Sequence, residues 1–249
     1  MTALVRSELL KVTTTRGWWA YLIVLVLLVG LGTAAEVGSR SDDDRSGIGF
    51  QLALVDLVGI ASLLAIILGI TIVTTEFRHG TITPTLLTTP SRAQVLAGKA
   101  VAGVAVTALF VVLAALVVLA VATTWLLFDT GDLQLANGDV LERAGQVSLA
   151  VVLWLLLGVA IGSVVQSQVA ALVGTLVWIF LVETLLVGLF NLLDVDGWGA
   201  YLPFRALDGV DGVTGGDLLE YGPALAVSLG WIVLIGALGV ARLVRRDIT

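Results

Sequence analysis

The residues able to do chemistry are few. The 249-residue chain has one histidine, His79, and no cysteine. That excludes disulfides, thiolate metal sites, thiol nucleophiles and any site needing two histidines. Two acids, Asp56 and Glu183, stand inside long apolar runs. A charge in such a run is costly and faces a bundle interior or an aqueous path. Asp56 lies about a turn and a half inside its helix, close enough to the outer interface to be solvated or to touch substrate. Glu183 lies deeper, without a basic partner in the apolar runs, and either lines a path or seals a contact between helices. A phosphate loop needs Gly-x-x-x-x-Gly-Lys-Ser/Thr. The one Gly-Lys pair, Gly98-Lys99, is followed by Ala100 and preceded by Ala93 where the first glycine belongs, so the chain holds no such ATPase site.

The elements that must position these residues are membrane helices. The chain is 58% hydrophobic and only 13% charged, with a mean hydropathy of +1.06. A soluble domain carries about a quarter charged residues. Crossing a bilayer takes ~20 mostly apolar residues. Six runs qualify, roughly 18–36, 51–75, 95–128, 145–165, 168–193 and 222–243, which predicts an all-α integral membrane protein with one permease-like domain over 1–249. The first run is too long for a signal-peptide core and is read as a retained helix. The third exceeds the minimum, so its start is expected to project into the aqueous phase. Gln166, Ser167 and Gln168 separate the fourth and fifth as a tight hairpin, with one long kinked helix as the other reading. Residues 1–17 form a cytoplasmic interfacial segment. Within it Leu4, Val5, Leu9 and Val12 suggest a helix along the inner surface, with Leu10 off the face; an extension of helix 1 is the alternative.

Basic residues set the orientation. With the N-terminus in the cytoplasm, Arg6, Lys11, Arg16, Arg78, Arg92, Lys99, Arg242, Arg245 and Arg246 fall inside, nine of the 13. Outside fall Arg40, Arg45, Arg143 and Arg205, with most of the aspartates. Both termini are expected in the cytoplasm of a multi-pass cell-membrane protein. Trp18, Trp19 and Tyr21 at one end, and Trp125 and Phe128 at the other, suit headgroup level. Gly158 and Gly162 allow two helix backbones to approach closely, within the chain or between copies.

The cytoplasmic loop between helices 2 and 3 carries Thr83-Pro84 and Thr89-Pro90. Thr caps exposed amides and Pro suits the first helical position, so each pair reads as a helix start. Gly80 ends helix 2 in a left-handed conformation. A short helix at about 82–89 results, whose Ile82, Leu86 and Leu87 are free to dock on a partner.

This loop resembles the cytoplasmic signature of ABC-2-type transporter permeases. The resemblance rests on Glu76-Phe77-Arg78-His79-Gly80-Thr81-Ile82, then Leu86-Leu87, Pro90-Ser91-Arg92 and Gly98-Lys99. The layout of six helices, the acidic segment before helix 6 and the Arg245-Arg246-Asp247 tail are similar too. The resemblance implies the membrane-spanning subunit of an ATP-binding cassette exporter, not itself an enzyme. Its short helix would be the coupling helix, with Glu76, Phe77, Arg78, His79, Gly80, Thr81, Ile82, Leu86 and Leu87 at the contact with an ATPase (nucleotide-binding) subunit. It implies no cofactor on this chain, with ATP and Mg on that partner. A second permease subunit, identical or similar, and membrane lipid complete the partners; no nucleic acid is expected. Family likeness also makes 194–221 a partly re-entrant external segment. Two other classes compete. An ion- or proton-coupled carrier needs intramembrane ionisable groups, for which Asp56 and Glu183 are a poor set. An intramembrane enzyme needs histidine in the bilayer, which His79 does not supply.

Overall fold

A computed structural model describes residues 2–15, 17–41, 45, 47–82, 91–126, 137–195, 197–212 and 217–245. The chain runs through α1 (Thr2–Thr13), α2 (Gly17–Ser39), α3 (Ile48–Asp56), α4 (Ala61–Arg78) and α5 (Arg92–Leu126). It continues through α6 (Gly138–Val165), α7 (Gln168–Val177), α8 (Glu183–Leu192), α9 (Pro203–Asp211) and α10 (Tyr221–Val244). A 3-10 turn, Leu57–Ile60, joins α3 to α4, and a π turn, Trp178–Val182, joins α7 to α8. Each joined pair is one continuous rod. Among the described residues, six rods are long and apolar enough to cross a membrane: α2, α3–α4, α5, α6, α7–α8 and α10. Six such rods suggest a multi-pass membrane protein.

The rods alternate in direction. Trp18 and Tyr21 of α2 stack on Phe110 of α5 while Gly38 meets Trp125, so α2 and α5 run parallel. Gly236 of α10 likewise approaches Ala160 of α6. Thr2 and Arg245 therefore lie at the same end, here the proximal end. The C-terminal ends of α2, α5 and α8 lie at the distal end.

The core is the crossing of α4 with α6. Their rods are 67% and 61% buried, against 17–28% for the other four. Close approach is what glycine allows here. A Cβ on Gly69 would collide with the carbonyl oxygen of Leu155, and one on Gly158 with that of Ile66. Gly162 sits against Ile70 in the same seam, so Gly158 and Gly162 pack within the chain. Leu68, Ile70, Leu155 and Leu157 fill the interior. Outside, Leu31, Leu116, Phe180, Leu185 and Val233 stay open on the surface. Water would not tolerate so continuous an apolar surface; lipid does.

Three sequence expectations change. The start of α5 is not a free aqueous projection: Leu4 of α1 packs against Gly98, and Lys99 is buried. Residues 2–13 are helical, with Leu10 exposed as expected, but Glu8 turns inward as the buried residue of that helix. Trp18 and Tyr21 stack on Phe110, leaving Trp19 exposed. The fourth rod begins at Gly138, where Asn137 accepts a hydrogen bond from the amide of Asp139, instead of at 145. The tight hairpin stands. Gln166 takes the left-handed conformation (φ 59°) and Ser167 is extended, which breaks the helix and restarts it at Gln168.

Candidate functional site

The proximal end is built around the two ends of the connection between α4 and α5. α4 closes on a Schellman motif. Gly80 sits at φ +69°, the amide of Thr81 donates to the carbonyl of Glu76 (2.9 Å), and the amide of Gly80 to that of Phe77 (3.4 Å). Only a residue without Cβ takes this turn cheaply, as the sequence anticipates. α5 opens two residues later than the Thr89-Pro90 reading proposes. Its cap is the hydroxyl of Ser91, which accepts from the amide of Gln94 (3.4 Å), and Arg92 is its first residue. Residues 83–90, which hold Leu86, Leu87 and both Thr-Pro pairs of the proposed short helix, lie outside the described residues.

Beneath this connection lies a buried ion cluster. Lys99 Nζ pairs with Glu8 Oε2 (2.7 Å) and Glu76 Oε1 (2.8 Å), and donates to the carbonyl of Ile72 (3.4 Å). An ammonium has three protons and no other way to satisfy them. Lys11 Nζ reaches Glu8 Oε1 (2.6 Å) and Glu76 Oε1 (2.6 Å). Two cations and two anions thus share one site, and the Lys99 and Glu8 side chains are each only 2% exposed. Burial lowers the affinity of Lys11 for its proton, but the hydrogen bonds and charges of Glu76 and Glu8 outweigh it, so its pKa rises. The cluster joins α1, the end of α4 and the start of α5. A cavity of about 100 Å³ adjoins it, lined by Thr15, Trp18, Thr71 and Glu76 among others.

The residues expected at a partner contact therefore divide. Arg78, His79, Gly80 and Thr81 are exposed, with Arg78 donating to Gln168 at the start of α7 (3.2 Å). Glu76 turns inward to the lysines. Ile82 packs on Val95 with Phe77 alongside, so both are used within the chain. Sequence reasoning missed Glu8 and Lys99. Lys99 carried a signal: a lone lysine among Val95, Leu96, Ala97, Ala100 and Val101 needs acids from elsewhere.

Glu183 and Asp56 lie apart from this site and from each other. Glu183 is 4% exposed at the end of the π turn. Its Oε1 accepts from the Trp178 indole (3.0 Å) and the Phe204 amide (3.0 Å), and its Oε2 from the Arg205 amide (3.2 Å). Two of these donors are first-turn amides of α9, which lack partners in their own helix. A carboxylate there also meets the positive end of the helix dipole. The π turn makes this possible, since it brings residues 178 and 183 to one side. Of the two sequence readings, the interhelical seal describes this geometry. Asp56 ends α3 with its side chain 48% exposed and accepts from Arg143 Nε (2.6 Å). Arg143 also donates to the carbonyl of Asp211 at the end of α9. Burial and nearby Asp208 push the Asp211 carboxyl up to about 7, against the pull of Arg143. Burial raises Asp208 as well, opposed by Arg205. α9 is thus fixed at both ends, by Glu183 at its start and Arg143 at its finish.

A family model described as "Protein of unknown function (DUF2705)" matches residues 34–249, and the chain belongs to that family. No curated protein matches it.

Proposed function

We propose that this member of the DUF2705 family is the membrane-spanning permease subunit of an ATP-binding cassette exporter. It sits in the cell membrane with both termini in the cytoplasm. Two permease subunits, identical or similar, enclose the path. Two ATPase subunits carry ATP and Mg and dock at the proximal end, on the short coupling helix at about 82–89. The distal segment 194–221 dips back toward the outer face of the membrane.

The observation that carries this reading is the anchoring of the α4–α5 connection. Glu76, before it, and Lys99, after it, meet in one buried ion cluster. Gly80 caps one end and Ser91 the other, while Ile82 and Val95 close the gap beside them. A loop that only joins two helices needs none of this. A contact that transmits force must move as a body, and this one is tied to α1, α4 and α5 together. Arg78 and His79 remain exposed at its edge to meet a partner.

The test is purification of the tagged chain from its native membranes in mild detergent. The expected result is co-purification of a subunit bearing the phosphate loop Gly-x-x-x-x-Gly-Lys-Ser/Thr, and transport in inverted vesicles that needs ATP. Transport driven by an ion gradient without ATP would overturn the reading in favour of a secondary carrier.

A further inference from the structure

α9 covers part of the distal end of the core, and its two ends are held differently. Phe204, Leu207 and Val210 on its inner face belong to the central cluster, and Phe204 meets Trp154 of α6 (5.5 Å between ring centres). The start is held by Glu183 through two backbone amides. The finish is held by Arg143 of α6, which donates to the Asp211 carbonyl. The guanidinium lies so close to Gly212 that any Cβ there would collide with it. Its other hydrogen bonds go to Asp56 Oδ1 (2.6 Å) and to Gln146 (3.4 Å), not to the Asp211 carboxyl.

That carboxyl is badly placed for a negative charge. It stands at the C-terminal end of α9, the negative end of the helix dipole. Asp208, one turn back on the same helix, and Asp56, the one titratable residue of α3, both repel it, and Arg143 alone attracts it. Arg205 of α9 acts on Asp208 instead. α4 presents the buried hydroxyl of Ser62, which has no other partner. The 3-10 turn presents Gly59, where a Cβ would stand 3.1 Å from Asp211 Oδ1. α10 packs Ala224 beside Gly209 and carries its one charged residue, Arg242, at the proximal end. Two like charges and burial against one opposite charge favour the neutral acid. The carboxyl accordingly holds its proton up to about 7.

We propose that α9 is a proton-operated lid: with Asp211 neutral its finish stays docked on α3, α4 and α6, and with Asp211 ionised that end swings outward about the start held by Glu183. The proton leaves to the water that reaches Asp56, whose side chain is 48% exposed. Opening uncovers Leu207 and Val210 and the core beneath them, so access from the distal side follows the pH of the medium there. The docked lid binds the proton more tightly than the open one, whose carboxyl returns toward 3.8. Docking is therefore strongest below 3.8, weakens as pH rises to about 7 and changes little above it. None of this depends on the exporter reading, because the movement belongs to this chain alone.

The test uses the full cysteine-free chain in lipid nanodiscs, with Val210→Cys as a buried reporter and a maleimide as the probe. Its labelling rate is followed from pH 5 to 8 and divided by the rate of the same reporter in the Asp211→Asn background. That ratio cancels the pH dependence of the thiol. It should rise by up to about ten-fold per pH unit until pH 7 and level off above. Leu207→Cys, equally sealed, should repeat the rise. Asp208→Asn removes one repelling charge and should shrink it. Arg143→Gln removes the other hold on that end and should speed labelling at pH 5 as well. Ala65→Cys, sealed in α4, should stay unlabelled throughout. A ratio that is constant from pH 5 to 8 at both reporters would overturn the proposal. A parallel rise at Ala65→Cys would also overturn it, because the whole bundle would then be loosening.

Discussion

A lysine sealed from water keeps its charge only if its protons find acceptors, and Lys99 finds Glu8, Glu76 and the carbonyl of Ile72. Removing one member of such a set strands the others. Lys99→Met is therefore expected to cost about 3–5 kcal/mol, read as a fall in the thermal unfolding midpoint in detergent. The double variant Lys99→Met/Glu8→Gln should recover part of the loss, because it removes the stranded anion. Lys11 holds its proton more tightly folded than unfolded, so its contribution is present below its ordinary pKa of 10.5 and fades only above it. Asp211 behaves in the opposite range. Its folded pKa of about 7 stands above the ordinary 3.8, so the folded state holds the proton longer and stability falls as pH rises between those values. Asp211→Asn should flatten that decline and unfold at a higher temperature than the parent at pH 8, with no gain at pH 4. Equal midpoints at pH 8 would count against a buried, protonated Asp211. At this scale the sequence was partly legible. Asp56 and Glu183 stood out as charges in apolar runs, and both proved to be held by specific partners. Glu8 did not stand out, because a short helix with mixed residues does not reveal which face meets the bundle.

Elements here are joined by a few exact contacts rather than by bulk. The α4–α6 seam depends on residues without side chains at the crossing. Gly158→Ala places a methyl group against the Ile66 carbonyl and should cost about 1–3 kcal/mol by overpacking, measured as reduced thermal stability. The same change at Gly222, where a Cβ meets nothing within 4 Å, should leave stability near the parent value. The clamp on α9 is equally local. Glu183→Ala removes the acceptor of two first-turn amides and one indole, and hydrogen bonds to a charged group are worth roughly 1.5–3 kcal/mol each. Amide hydrogen exchange at Phe204 and Arg205 should speed up by at least about ten-fold, while exchange in α4 stays slow. Glu183→Gln keeps an oxygen acceptor and should fall between. The spans themselves were readable, because twenty apolar residues admit few other structures. Gly80 as the stop of α4 was readable from its conformational freedom. The π turn at Trp178–Val182 was not, since a single inserted residue leaves no mark in an apolar run where every face is hydrophobic.

The whole molecule is a bundle whose central rods α3–α4 and α6 are buried and whose outer rods expose apolar side chains around them. Alternation of the rods puts Thr2 and Arg245 at one end, as the distribution of basic residues requires of any orientation. We propose that the proximal end, which carries Arg78, Arg92 and Lys99, is the cytoplasmic one. Asp43→Cys in this cysteine-free chain should react with an impermeant maleimide added outside intact cells, and labelling of it only from the cytoplasm would reverse the topology. The proposed function was legible only through resemblance, because a transport subunit of this kind would carry no catalytic constellation and would draw its energy from another chain. The central claim is that the α4–α5 connection holds an ATPase subunit. Its most direct measurement is photocrosslinking from a benzophenone amino acid placed at Leu87, with co-purification of Leu86→Asp in parallel. The account predicts a covalent adduct between Leu87 and an ATPase subunit, and loss of that subunit from Leu86→Asp membranes at unchanged levels of the folded permease. An adduct to lipid alone, together with unchanged association in Leu86→Asp, would contradict it.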